Sequence, residues 1–120
     1  MHVFNNNIDR TFLFSLYGRD KDCLLDVFRS ALQQLSAELP VLQKHKEEKD
    51  IANLKRSVRK IKPLFGFVGL TKMQTECQEF EVKCETAEDH NKLEPEYQQF
   101  ISQVQESTSI IEKEINNLKA

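Results

Sequence analysis

Residues 58–70 of this chain read VRKIKPLFGFVGL. Apolar residues recur in this segment at steps of three and four, which is the period of a helix with one buried face. Extended towards the N-terminus, the stripe comprises Ile51, Leu54, Val58, Ile61, Phe65 and Val68. Asp50 precedes the stripe, where its side chain can cap the first turn of the helix, and Gly66 and Gly69 at the other end favour helix termination. The segment therefore predicts an amphipathic helix that ends at a glycine turn.

Three other segments carry apolar stripes with the same period. They comprise Leu24, Phe28, Ala31, Leu35, Leu39 and Leu42; then Leu70, Met73, Cys77, Phe80, Cys84 and Ala87; then Leu93, Tyr97, Phe100, Val104, Thr108, Ile111, Ile115 and Leu118. Four such helices cannot bury their stripes separately. They predict an all-α fold, an antiparallel up-down-up-down four-helix bundle capped by a short N-terminal helix around Phe12, Leu13 and Leu16. A long coiled coil is the competing structure, which the polar turns at 46–50 and 88–92 disfavour.

Short polar signals indicate where helices begin and end. Asp9 and Asp20 each stand before an apolar run, where a carboxylate can cap the first turn. Gly18 between them is a natural end for the short N-terminal helix. Thr71 and Gln74 have the spacing of a capping box at the start of the third long helix. These positions predict the boundaries of the short helix and of two long ones.

Length and composition limit the possible classes of protein. The chain has 120 residues, which predicts a single domain spanning 1–120, and its 30% charged and 39% hydrophobic residues suit a helical protein. A formal net charge of -2 predicts no general affinity for nucleic acid or for an anionic membrane. No apolar run approaches the roughly 20 residues that span a bilayer. The N-terminal residues lack the pattern of a signal peptide, so we expect a cytoplasmic location.

The reactive residue types form no recognisable site. Cys23, Cys77 and Cys84 lack metal-ligand spacing, and we interpret the last two as small core residues. His45 and His90 lie in or beside predicted turns, where we expect solvated surface histidines. The sequence shows no catalytic triad, phosphate-binding glycine loop or metal-ligand cluster. We therefore expect no enzymatic activity and no cofactor or metal.

A cationic face lies beside the buried stripe of the helix predicted around residues 50–66. Its members are Lys55, Arg56, Arg59, Lys60 and Lys62, with Gly66 at its end. No acidic residue occurs between positions 51 and 75, and we expect the face to point to solvent. A basic face that ends at a glycine leaves room for another protein, or its phosphate, to approach the helix backbone.

The same segment resembles the signature of histidine-containing phosphotransfer (HPt) domains. In that signature a phosphorylatable histidine is followed three residues later by a lysine and ten residues later by a glycine. Lys62 and Gly69 have these positions, whereas Arg59 occupies the place of the histidine. Further positions that match the family are Ile8, Asp9, Gly18, Arg19, Asp20, Asp50 and Leu54, followed by the 70–87 helix. The resemblance therefore covers essentially the whole chain.

HPt domains pass a phosphoryl group between the aspartates of receiver domains through an exposed histidine. The resemblance implies that Lys62 offsets the phosphoryl charge, that Gly66 lets a receiver dock, and that Gly69 packs where the next helix begins. Arg59 alters the expected chemistry, because a protonated guanidinium is a poor nucleophile and cannot replace imidazole as a relay. Leu64 replaces a small residue of the family, and we expect it to add apolar area to the exposed side.

The sequence thus predicts an HPt-like protein of a two-component phosphorelay. We expect it to bind the receiver domain of a hybrid kinase or response regulator without accepting phosphate, acting as a competitor or tether, and to be a monomer. The expected partner-binding residues are Lys55, Arg56, Arg59, Lys60, Lys62, Leu64 and Gly66. Two alternatives stay open: a helical protein-interaction module unrelated to phosphorelays, and an HPt protein with an unrecognised phosphoacceptor. A third, simpler interpretation of the basic face is a solvated helix surface without a partner.

Overall fold

The computed structural model describes residues 4–119, and all regular structure in this part of the chain is helical. The five helices are α1 (Arg10–Tyr17), α2 (Lys21–Glu47), α3 (Ile51–Phe67), α4 (Thr71–Thr86) and α5 (His90–Lys119). The prediction of an all-α fold is therefore confirmed. Connections of three residues each join the four long helices.

The four long helices pack in a ring. α3 lies between α2 and α4, and α5 closes the ring by contacting both α2 and α4. The predicted stripes form the core, with Phe28 and Phe65 fully buried at its centre. Four stripe residues, Leu39, Ile51, Ala87 and Thr108, are only partly buried at its margin. α5 also buries Ile101 and Ile110, which lie outside its predicted stripe, because this helix contacts two neighbours.

Three aspartates cap the helices that the sequence assigned to them. Asp9 accepts a hydrogen bond from the backbone N–H of Phe12 at 3.0 Å, and Asp20 accepts one from that of Cys23 at 3.1 Å. Asp50 accepts from both the backbone N–H and the side-chain amide of Asn53, at 3.1 and 2.6 Å. These bonds to the charged carboxylate lower the pKa of Asp50. The three predicted N-caps are confirmed.

The turn between α3 and α4 is built around Gly69, whose φ is +76°. The Gly69 N–H donates to the Gly66 carbonyl at 3.1 Å, and the Leu70 N–H donates to the Phe65 carbonyl at 2.8 Å. This pair of bonds is the Schellman arrangement, which satisfies the last carbonyls of a helix and requires a left-handed residue. A glycine meets that requirement without steric cost.

The predicted capping box at the start of α4 is wrong. α4 begins after Leu70, and no side chain caps it. The predicted box needs Thr71 as the N-cap, but the turn at Gly69 makes Leu70 the N-cap. Thr71 is therefore the first residue inside α4. The amide end of Gln74 lies against Gly66 instead, and a Cβ at position 66 would come within 2.8 Å of Gln74 Nε2.

The segment before α1 and α1 itself lie against the turn at Gly69. The backbone N–H of Asp9 donates to the Gly69 carbonyl at 2.8 Å. A Cβ at position 69 would come within 2.9 Å of Leu13 Cγ and 3.2 Å of Ile8 Cγ2. At the other end of α1, the Tyr17 hydroxyl donates to the Phe67 carbonyl at 3.0 Å. Gly69 therefore combines a special backbone conformation with a close packing contact.

The first described residues are also attached to the long helices. The Asn5 N–H donates to Glu114 Oε1 at 3.1 Å. The Phe4 ring centroid lies 6.1 Å from those of Phe14 and Phe28. These contacts tie the N-terminal segment to α5, α1 and α2.

Among the described helices, none combines the length and the apolar character that crossing a bilayer demands.

The two glycines at the end of α3, Gly66 and Gly69, should respond oppositely to alanine. In Gly69→Ala, the left-handed backbone and the contact with Leu13 should together lower the free energy of unfolding by about 2–4 kcal/mol. In Gly66→Ala, the flexible Gln74 amide can move aside and alanine favours the helix, so the change should stay within about 1 kcal/mol, on the stabilising side. Urea denaturation followed by circular dichroism measures both. Equal destabilisation of the two variants would contradict the packing role of Gly69.

Candidate protein-interaction site

The predicted cationic face lies on α3 but is only partly exposed. Arg56, Arg59 and Lys60 are exposed, whereas Lys55 and Lys62 are half-buried. The difference follows from the position of α3 between α2 and α4, since α4 covers the side of the helix on which the last two lie. The residues therefore form two groups: cations held on the α3–α4 seam, and cations directed to solvent.

Arg59 projects from the middle of α3 with 60% of its side chain exposed. Its Nε lies 3.8 Å from Glu81 Oε2, and its Nη2 lies 3.9 Å from Glu85 Oε1. Both distances are at the outer limit of an ion pair and beyond hydrogen-bonding range. The guanidinium thus rests near two α4 carboxylates without being tightly held by either.

The two half-buried lysines are held more firmly by α4. Lys62 Nζ donates to Gln78 Oε1 at 2.7 Å and lies 3.6 Å from Glu81 Oε2. Lys55 Nζ donates to Glu85 Oε1, and this hydrogen bond is the main reason that the pKa of Glu85 is lowered. The α3–α4 seam is therefore a row of cations on α3 that faces carboxylates on α4.

Glu81 is the residue at the centre of this seam. Only 5% of its side chain is exposed, its Oε2 faces Arg59 and Lys62, and its buried Oε1 has no hydrogen-bond partner among the described residues. A buried carboxylate with an unpaired oxygen is costly, so its cationic neighbours matter for the fold.

The position of Glu81 in the sequence is itself a signal of burial, although Glu81 is not among the residues predicted for the site. Glu81 lies four residues after Cys77 and three before Cys84, which places it on the buried stripe of α4. Burial raises the pKa of Cys77 to about 12 and that of Cys84 to about 11, so both thiols stay protonated at neutral pH. Their interpretation as core residues is confirmed. Because Glu81 lies between these two core cysteines on the same helix face, the sequence indicates a buried carboxylate that needs a cationic or hydrogen-bonding partner.

On its other side, α3 contacts a second buried acid. Glu38 of α2 accepts a hydrogen bond from the buried Ser57 hydroxyl at 3.0 Å and forms an ion pair with Lys60 at 3.0 Å. The Lys60 side chain nevertheless remains 73% exposed. Because solvent screens the exposed lysine, this pair contributes little to stability, and Ser57 remains a partner of the buried Glu38 carboxylate.

Two predicted members of the exposed surface are buried, and these predictions are wrong. Leu64 is 5% exposed, because α3 packs against two helices and its buried arc is wider than one stripe. Gly66 is also buried, because Gln74 of α4 covers it. Neither residue is available to contact a partner directly in this conformation.

The exposed C-terminal end of α3 instead carries two apolar residues that are not among the predicted site residues. Pro63 is exposed, and Phe67 in the last turn of α3 exposes 49% of its surface. With Arg56, Arg59 and Lys60 they form the solvent side of α3, spaced at three or four residues. We call these five residues the α3 surface.

The two described histidines lie far along the fold from Arg59. His45 is in the last turn of α2 and His90 begins α5, at the end where α3 starts, about 12 Å along the helix axis from Arg59. His90 Nε2–H donates to the Lys46 carbonyl at 3.1 Å and the ring is half-buried. This bond corrects the expectation of a freely solvated His90 and gives the ring a structural contact.

Comparisons of the chain with protein-family models, with curated proteins and with solved structures found no match.

The two partners on the seam should differ in their effect on stability. Lys62→Met should lower the free energy of unfolding by about 1–2 kcal/mol, because it leaves the buried Glu81 carboxylate with only a distant cation. Glu81→Gln should cost no more than about 0.5 kcal/mol, because it removes a buried charge while the cations remain in contact with water.

Chemical denaturation of both variants tests this asymmetry. Lys72→Met, an exposed lysine on α4, is the matched control and should leave stability unchanged. If Glu81→Gln proved as costly as Lys62→Met, the attraction across the seam would outweigh the burial of the charge, contrary to this account.

Proposed function

We propose that this protein is an HPt-like domain that binds a response-regulator receiver domain without accepting phosphate. One observation carries the proposal. At the position where the HPt signature has its histidine, Arg59 projects into solvent from the middle of α3. Lys62 and Gly69 stand at the signature's other two positions.

The arrangement of the helices supports this proposal. The ring of α2 to α5 with short connections is the one expected for an antiparallel up-down-up-down four-helix bundle. In this interpretation α1 is the short capping helix, and its contact with Gly69 corresponds to the packing position of the family's glycine. The fold alone does not establish the activity, so the proposal depends on the surface around Arg59.

The chemistry of Arg59 excludes it as a phosphoryl carrier. A histidine relay requires a ring nitrogen with a free lone pair near neutral pH. The guanidinium remains protonated, and its delocalised nitrogens are poor nucleophiles. Lys62, which would offset the phosphoryl charge, is already bound to Gln78 and faces Glu81. The site is therefore suited to recognition and not to transfer.

The geometry of Arg59 suits recognition of an acidic partner. Its contacts with Glu81 and Glu85 are long and its own side chain is mostly exposed, so it can leave them for stronger, charge-assisted bonds at little cost, while Lys62 stays near the buried Glu81. The resemblance to HPt domains implies that the partner is a receiver domain, and the phosphorylation pocket of a receiver domain is acidic. Pro63 and Phe67 add apolar contact area to the same surface.

Several consequences follow for the role of the protein in a cell. It would compete with an active HPt domain for a receiver, or tether the receiver of a hybrid kinase or regulator. It needs no cofactor for this role and no nucleic acid. We propose that it acts in the cytoplasm as a monomer, with residues 1–120 forming one domain.

The experiment compares the wild type with Arg59→His and Arg59→Glu. Each is mixed with receiver domains encoded in the same genome, with the receivers first charged by a radiolabelled phosphodonor. Calorimetry measures binding and gel autoradiography measures transfer. We expect the wild type to bind but stay unlabelled, and Arg59→His to bind and become labelled. Arg59→Glu should bind at least about tenfold more weakly, because it places a like charge against the receiver's acids.

Arg29→Glu, an exposed arginine on α2, is the matched control and should bind as the wild type does. A labelled wild type would show that another residue accepts phosphate. If neither the wild type nor Arg59→His bound any receiver, the proposal would fail, and a helical interaction module unrelated to phosphorelays would be the better account.

A further inference from the structure

A second candidate site lies away from the α3 surface, where α1, the start of α2 and the end of α5 meet. We propose that this cavity binds a small carboxylic acid with an apolar body, such as a medium-chain fatty acid. The inference is independent of the proposed function, because none of the five residues of the α3 surface lines the cavity.

The cavity has a volume of about 580 Å³ and an apolar floor. Phe4, Phe14, Leu24 and Leu118 form this floor, one or more from each element that meets there. Volumes of 300–1,000 Å³ are typical of sites for small organic ligands, and such sites are mainly apolar with a few polar groups for orientation. The size and lining therefore fit a molecule with an apolar part, beyond what a simple inorganic ion would need.

The rim of the cavity is cationic. Arg10, Arg19 and Lys21 line it, and no acidic side chain does so within the part of the chain that the structure describes. Arg10 and Arg19 form no ion pair with any described residue. Arg19 instead stacks its guanidinium over the Phe14 ring, 5.1 Å from the centroid. Two arginines thus stand at the edge of an apolar cavity, and no carboxylate of residues 4–119 forms an ion pair with either.

This combination determines the chemical class of the ligand. A carboxylate can accept two parallel hydrogen bonds from an arginine, which is the strongest contact the rim offers. An apolar chain attached to it would cover the floor and gain from the burial of apolar surface. A neutral apolar molecule would form no ionic contact with the arginines of the rim, and a small anion would leave the apolar floor exposed to water.

Titration of the ¹⁵N-labelled full chain tests the site, followed by amide shifts. Octanoate is the probe, 1-octanol is the uncharged molecule of equal chain length, and acetate is the anion without a chain. We expect saturable shifts with octanoate, confined mainly to residues 10–24 and to the end of α5. Its dissociation constant should be at least about tenfold lower than those of the other two.

Two variants connect the binding to the rim. Arg19→Gln should weaken octanoate binding by about tenfold, because it removes one charge-assisted contact. Arg29→Gln, further along α2 and outside the cavity, should not. Absence of saturable binding to the wild type, equal binding of 1-octanol, or an unaltered affinity in Arg19→Gln would each overturn the inference. Because the test uses no receiver domain, its result does not depend on the proposed function.

Discussion

The arrangement of this protein depends on the turn at Gly69. The positive φ at this residue ends α3 through the bonds to Gly66 and Phe65 and starts α4 directly afterwards. The carbonyl of the same glycine accepts the Asp9 N–H, and the missing side chain leaves room for Leu13. One backbone position therefore determines how α3 meets α4 and where α1 lies. Any larger residue there would disturb both contacts.

The turn brings α3 against α4, and this contact pairs part of the basic segment with acidic residues. Along the chain, five cations follow one another without an acid. In the fold, Lys55 and Lys62 are matched by carboxylates of α4, and the buried Glu81 holds the centre of the seam. The alternative interpretation of the basic face as a solvated helix surface thus does not describe these two lysines, which are half-buried and bound to α4. Arg59 remains the cation that is both central and free to move to a partner.

Features that depend on local sequence were predictable, and those that depend on helix pairing were not. The stripes and the aspartate caps follow from the spacing of neighbouring residues, so the sequence predicted them. Leu64 and Gly66 were assigned to the exposed side because a single helix cannot reveal that it has two neighbours. The prediction that Thr71 caps α4 was wrong because the turn at Gly69 makes Leu70 the N-cap residue. Glu81 could be placed on a buried stripe, but its cationic partners lie on another helix.

The central claim is that a receiver domain binds the α3 surface around Arg59. The most direct measurement is a titration of the ¹⁵N-labelled protein with an unphosphorylated receiver domain, in which shifts of the amide signals locate the interface. The account predicts the largest shifts at Arg56, Arg59, Lys60 and Phe67, with the outer side of α5 at residues 96–112 unaffected. Saturable shifts confined to α5, or a receiver that shifts no signal at saturating concentration, would contradict it.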